Sequence, residues 1–133
     1  PGEVKAKFNI RFNTLHSVSS LQSMLKNQFD AITKNYQFDY FCNAEPFLTS
    51  DEELKSTLQN AITKVVNVNP KLSTTGGTSD ARFITKLCPV IEFGLVGKTM
   101  HKIDENVEVD DIMKLTRIYN NFLHNYFRVE KND

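Results

Sequence analysis

Val4-Lys5-Ala6-Lys7-Phe8-Asn9-Ile10-Arg11-Phe12-Asn13 alternates strictly, with Val4, Ala6, Phe8, Ile10 and Phe12 on one face and Lys5, Lys7, Asn9, Arg11 and Asn13 on the other. Successive side chains of an extended chain point to opposite sides, so a period of two predicts a strand buried on one face. The polar face is rich in donors, which suits either a solvated surface or the wall of a cleft that holds an anion. After a Ser/Thr-rich turn, Val18, Leu21, Leu25 and Ile32, with Met24 and Phe29 beside them, recur at helical spacing and predict an amphipathic helix ending near Asn35. Tyr36, Phe38, Tyr40 and Cys42 then alternate again, so the opening portion reads as a strand-helix-strand unit.

Beyond a connector containing Pro46, Ser50-Asp51-Glu52-Glu53 has the spacing of a capping box, with Ser50 as the cap and acids at the positive end of the helix. Leu54, Leu58, Ala61, Ile62 and Val65 supply its apolar stripe, and Asn69-Pro70 predicts a stop near Asn67. Lys71 to Thr75 reads as a short strand. Gly76-Gly77 turns the chain into a helix capped by Thr78, Ser79 or Asp80 and packed through Phe83, Ile84 and Leu87. Val90-Ile91-Glu92-Phe93 suits a short central strand covered on both faces. After a loop from Gly94 to Asn106, Val109, Ile112, Leu115, Ile118, Tyr119, Phe122 and Tyr126 form a closing helix. Alternating strands and helices predict an α/β fold, without internal repeats.

Composition narrows the function classes. The 133 residues fit one ordinary globular composition, 40% hydrophobic and 24% charged, with sixteen basic residues balancing sixteen acidic ones. That balance lacks the basic bias of an electrostatic nucleic-acid binder, so no nucleic-acid partner is expected. No apolar stretch approaches the ~20 residues of a membrane span, and no membrane partner is expected. Cys42 and Cys88 lie far apart without metal or redox spacing. They read as small core residues in a reducing compartment, which makes the expected location cytoplasmic. The chain opens at Pro1 and runs almost at once into strand-like sequence, which reads as a cut through a longer protein.

Local chemistry leaves several readings open. Thr74-Thr75-Gly76-Gly77-Thr78-Ser79-Asp80 lies between a strand and a helix, where free amides hold either a tight capped turn or an anion. It lacks the residues of a nucleotide loop. His101 sits in a loop beyond a strand end, where α/β folds place functional groups. One histidine is not a metal site, and no second ligand stands at short spacing. His16 and His124 read as turn and exposed-helix residues. Ser79, Asp80 and His101 offer the groups of a nucleophilic triad without the sharp elbow that exposes a serine. Cys88, before Pro89, reads as buried and unreactive.

Taken together, Thr75-Gly76-Gly77-Thr78-Ser79-Asp80-Ala81-Arg82-Phe83-Ile84, Val90-Ile91-Glu92-Phe93-Gly94 and Thr99-Met100-His101-Lys102-Ile103-Asp104-Glu105 strongly resemble the C-terminal signature of the succinyl-diaminopimelate desuccinylase family, co-catalytic zinc amidohydrolases. Phe8-Asn9-Ile10-Arg11-Phe12 and Glu45-Pro46-Phe47-Leu48-Thr49 are similar to that family as well, in the right order. The resemblance implies an α/β fold in two parts. Residues 1–47 would be the later half of a ferredoxin-like lid or dimerisation domain, and residues 48–133 the C-terminal part of the zinc-hydrolase catalytic domain.

Residue by residue, the resemblance makes His101 a zinc ligand and places Arg11, Gly77 and Thr78 against substrate. It leaves no catalytic acid or base in this stretch. The family's general-base glutamate and most ligands of its zinc pair come from a portion outside these residues, so this chain alone is expected to be inactive. The implied reaction is hydrolysis of N-succinyl-LL-2,6-diaminopimelate, a small-molecule substrate, by a homodimer joined through the lid. Arg82 is left between the cleft and a buried partnership with Glu92 or another acid, and Glu92 or Glu105 is expected as the acceptor behind His101. Two departures are visible: Gly97 stands where some relatives carry Asn, and Leu95 where Pro is common. The first keeps a related zinc deacylase open, and a non-catalytic anion-binding or dimerisation module is the reading from another class.

Overall fold

The computed structural model describes residues 2–75, 77 and 79–128. Four helices follow in order, α1 (Val18–Ile32), α2 (Glu52–Val66), α3 (Ala81–Ile84) and α4 (Val109–Tyr126). Each coincides with a segment of helical periodicity.

Their ends are set by local chemistry. The Ser17 hydroxyl accepts from the Ser20 amide at 3.1 Å, and the Ser20 hydroxyl accepts from the Ser17 amide at 3.0 Å, a reciprocal cap of α1. α1 stops at Ile32 rather than near Asn35, because Thr33 turns extended while its amide still reaches the Phe29 carbonyl at 2.9 Å. The start of α2 also departs from expectation: Asp51, not Ser50, is the cap, and its carboxylate accepts from the Leu54 amide at 2.8 Å. A carboxylate satisfies that orphan amide and meets the positive helix end with a full charge, which a hydroxyl does not. α2 ends at Asn67, in the left-handed conformation that asparagine tolerates.

The core lies between α2 and α4. Leu58, Ala61, Ile62 and Ile118 are buried together, and Val65, Val66, Ile91, Phe93 and Phe122 pack against them. Ala61 is 0% exposed, and its small side chain permits close approach. Each large aliphatic side chain here contributes about 1.5–3 kcal/mol by leaving water. The two helices run antiparallel, for Arg128 just past the end of α4 meets Glu53 in the first turn of α2 at 3.6 Å. That ion pair is exposed and holds little on its own.

The segments expected as strands carry no ladder among the described residues. A strand exists only through pairing of its backbone, and residues 4–13, 36–42, 71–75 and 90–93 find no strand partner there. The side-chain alternation nevertheless survives in part. Tyr36, Phe38 and Cys42 are half-buried while Gln37, Asp39 and Phe41 are exposed, and Phe29 of α1 meets Tyr36 and Phe38 edge-on at 5.5 and 5.4 Å. Ile91 and Phe93 face the α2–α4 core, but Glu92 is exposed, so this stretch is covered on one face and not on both. At Ser73 the side chain accepts from the Thr75 amide at 3.1 Å, a local turn that competes with pairing.

Several expected core residues are exposed. Val4, Phe8, Ile10, Met24 and Ile32 lie open, as do Phe83, Ile84 and Leu87 around α3, whose four residues are too short to bury a stripe. Cys88 is exposed rather than buried, and Cys42 is half-buried; both are free thiols. His124 is half-buried on α4 rather than on an exposed face, with Nδ1 shielded and unpartnered. No described helix is long and apolar enough to cross a membrane.

Candidate functional site

The loop between Phe93 and α4 is rooted at both ends. Tyr119 of α4 donates its hydroxyl proton to the Phe93 carbonyl, and the two rings meet edge-on at 6.1 Å. At the other end the chain enters α4, whose first turn carries Asp110 and Asp111 against the positive end of the helix. Within the loop, the Met100 amide reaches the Gly97 carbonyl at 3.2 Å and the Lys102 amide reaches the Thr99 carbonyl at 3.0 Å. A Cβ added at Gly97 would stand 3.1 Å from Met100 Cβ, so glycine permits the tight return there.

Thr99 closes the loop. Its hydroxyl donates to the Asn106 carbonyl at 2.8 Å and accepts from the Asn106 amide at 3.0 Å. Asn106 Nδ2 donates in turn to the Asp104 carbonyl at 2.7 Å. The enclosed segment presents His101 to solvent with φ 62°, and Asp104 has φ 59°. Left-handed backbone costs a residue with a Cβ about 1–2 kcal/mol, so these conformations persist only where surrounding bonds hold them. The His101 amide faces Glu105 Oε2 at 3.4 Å. Glu105 therefore lies beside the histidine backbone, while its ring has no hydrogen-bond partner among the described residues, from Glu105 or from Glu92.

The other sequence-derived positions lie elsewhere. Arg11 is exposed on the extended opening segment, Gly77 is exposed in the turn before α3, and Thr78 lies outside the described residues. No hydrogen bond or ion pair joins Arg11, Gly77 and His101 among those residues. A cavity of about 110 Å³ is lined by Phe12, Asn13, Pro46, Phe47 and Thr74. The chain next to Arg11 thus faces the chain leading to Gly77. Ser79 accepts from the Ala81 amide at 3.1 Å, and no described bond assembles Ser79, Asp80 and His101 into a triad.

At Arg82, one of the two open readings is not formed among the described residues. Arg82 has no carboxylate partner among the described residues, so the pairing with Glu92 is not formed. Its guanidinium lies 4.7 Å from the Phe83 ring centroid, and its shielded Nε has no acceptor. Sequence reasoning missed Thr99 and Asn106, because a reciprocal clasp across seven residues follows no local periodicity. The one readable signal was Asp104, a residue type that tolerates left-handed backbone.

A zinc site needs three or more protein donors. No group of three or more His, Cys, Asp or Glu is arranged to hold a metal among the described residues. What the structure offers is one exposed imidazole on a clasped loop, a donor set that fits a single ligand contributed to a shared site and not a shell of its own.

Comparison with known proteins supplies the context. The sequence is 51% identical to a succinyl-diaminopimelate desuccinylase of Pelagibacter ubique over 131 residues, 96% of this chain and 34% of that protein. A protein of the same name from Rhodopseudomonas palustris is 47% identical over 96% of this chain and 34% of its own length. One from Zymomonas mobilis subsp. mobilis is 49% identical over 89% of this chain and 31% of its own. The chain spans about a third of the length of these curated relatives. Residues 2–125 match the profile of Peptidase family M20/M25/M40, and the chain belongs to that family.

Proposed function

We propose that this chain is the C-terminal segment of a cytoplasmic, zinc-dependent amidohydrolase that cleaves N-succinyl-LL-2,6-diaminopimelate to succinate and LL-2,6-diaminopimelate. The observation that carries the reading is the match to relatives of that name along nearly the whole chain, at about half identity. In this reading residues 1–47 belong to a ferredoxin-like lid that joins two copies into a homodimer. Residues 48–133 belong to the α/β catalytic domain; the extended segments 4–13 and 36–42 are strands of the lid, and 71–75 and 90–93 are strands of the catalytic domain.

His101 is the residue that would hold zinc here, through one neutral ring nitrogen. The metal pair, when bound, polarises the amide carbonyl and lowers the pKa of water. The chain's other residues bind and orient. Arg11 grips a substrate carboxylate with its planar fork, as guanidinium groups do where two parallel bonds are needed. The Gly77 amide and Thr78 hold the second anionic end beside the turn into α3. The cavity between Phe12–Asn13 and Thr74 supports the view that the Arg11 segment and this turn work across a common space. This chain alone supplies one metal donor and no general base, so its own hydrolytic activity is expected to be negligible.

The test is hydrolysis by the zinc-loaded full-length polypeptide, with N-succinyl-LL-2,6-diaminopimelate offered beside the N-acetyl analogue. Preferential release of succinate supports the reading. Cleavage of the acetyl compound alone points instead to a related zinc deacylase, the alternative that Gly97 keeps in view, and hydrolysis of neither rejects the assignment.

A further inference from the structure

We propose that Thr99 and Asn106 are positioning residues for the His101 imidazole, acting through a hydrogen-bonded clasp that fixes the loop from which the histidine projects. The inference rests on the reading of His101 as a zinc ligand and goes beyond it, by naming what holds that ligand in place.

Two independent features carry it. The first is the reciprocal pair between one hydroxyl and the backbone of one residue: Thr99 Oγ1 donates to the Asn106 carbonyl at 2.8 Å and accepts from the Asn106 amide at 3.0 Å. A hydroxyl that both donates and accepts fixes its own rotor and the relative position of the two chain ends, and threonine's β-branch restricts χ1 further. Asn106 Nδ2 extends the clasp to the Asp104 carbonyl at 2.7 Å. The second is the backbone inside the loop, where His101 and Asp104 both have positive φ. Neither is glycine, and residues with a Cβ adopt this region at some cost even where they tolerate it, so the surrounding bonds steady both conformations. The bonds from Asn106 and Thr99 reach both sides of the strained stretch, through the Asp104 carbonyl behind it and the Thr99–Lys102 turn ahead of it.

The consequence is geometric. The His101 ring has no hydrogen-bond partner among the described residues, so what the loop fixes is the backbone position and the Cα–Cβ direction from which the ring reaches out. A metal ligand aimed by its backbone loses affinity when the backbone relaxes, even though every donor atom remains. Groups that orient a ligand typically change metal affinity or activity about 10- to 100-fold when removed. Thr99→Val keeps the shape of the side chain and removes the hydroxyl, while Thr99→Ser keeps the hydroxyl.

The experiment uses the full-length polypeptide and measures zinc affinity by competition with a chelator, kcat and KM for the succinylated substrate, and the thermal midpoint. Expected is a loss of about 10- to 100-fold in affinity for the zinc that His101→Ala removes. This comes with a lower kcat, a KM within about twofold and recovery in Thr99→Ser to near wild type. A Thr99→Val protein with wild-type zinc affinity and kcat, alongside His101→Ala that loses a zinc, overturns the inference and leaves the metal-ligand reading intact. A His101→Ala protein that keeps both zincs overturns both. If Thr99→Val does not fold, Asn106→Ala removes only the bond to the Asp104 carbonyl; unchanged zinc affinity in that variant overturns the inference, and weakened affinity supports it.

Discussion

Asp51 holds the start of α2 through one bond, its carboxylate to the Leu54 amide. Asp51→Ala is expected to cost about 1 kcal/mol, read as a lower urea midpoint at unchanged slope. A second residue-scale consequence concerns Asp30. A hydrogen bond from Lys34, and then one from the Tyr36 hydroxyl, hold its carboxyl below the ordinary value of 3.8. Loss of solvation, with the Asp30 bond second, raises the Tyr36 phenol above 10.0. The stabilisation from Asp30 is therefore present above its unfolded pKa and lost as pH falls through the lowered one. That from Tyr36 is present below its unfolded pKa and lost as pH rises through the raised one. Tyr36→Phe should flatten the alkaline limb of a stability-versus-pH curve followed by circular dichroism, and an unchanged limb would contradict the bond. At Arg11, the proposed carboxylate grip predicts that Arg11→Lys raises KM about tenfold or more, since bonds to charged groups contribute about 1.5–3 kcal/mol and lysine lacks the planar fork.

At the scale of elements, the α2–α4 pair carries what core the chain has. Leu58→Ala is expected to destabilise by about 2–5 kcal/mol and Ile118→Val by about 0.5–1.5 kcal/mol, measured by urea unfolding. Equal and small effects would mean that the helices do not share one core. The helices were legible in the sequence because their information is local: α2 shows its stripe from Leu54 to Val65 and its stop at Asn67, and α4 shows its own from Val109 to Tyr126. The strands were legible only as alternation, since pairing depends on a partner distant in sequence, and the described residues offer none to Val4–Asn13 or Val90–Phe93. The histidine loop was legible as a place and not as a shape. Motif resemblance pointed to His101, but nothing in Met100-His101-Lys102 announces positive φ, and the Thr99–Asn106 clasp emerges only when the loop is folded.

For the whole molecule, surface area is the telling quantity. The chain exposes 11411 Å², whereas a compact monomer of 15.2 kDa exposes about 7,100 Å². Large side chains that ordinarily enter a core stand open, among them Ile103 at 94%, Phe41 at 89% and Leu87 at 87%. Apolar surface on this scale calls for covering by more protein. The chain by itself is therefore expected to bind an apolar fluorescent dye strongly and to have a larger hydrodynamic radius than a compact protein of its mass. A compact radius with no dye binding would contradict the exposed faces. The same openness fits the proposed reading, in which His101 works only with metal donors from elsewhere in a longer protein.

The most direct test of that claim is the zinc content and succinyl-diaminopimelate hydrolysis of the full-length polypeptide, wild type beside a folded His101→Ala variant. The account predicts that the variant loses one zinc per subunit together with its activity. Unchanged zinc and unchanged hydrolysis in the variant would remove His101 from the site and contradict the account at its centre.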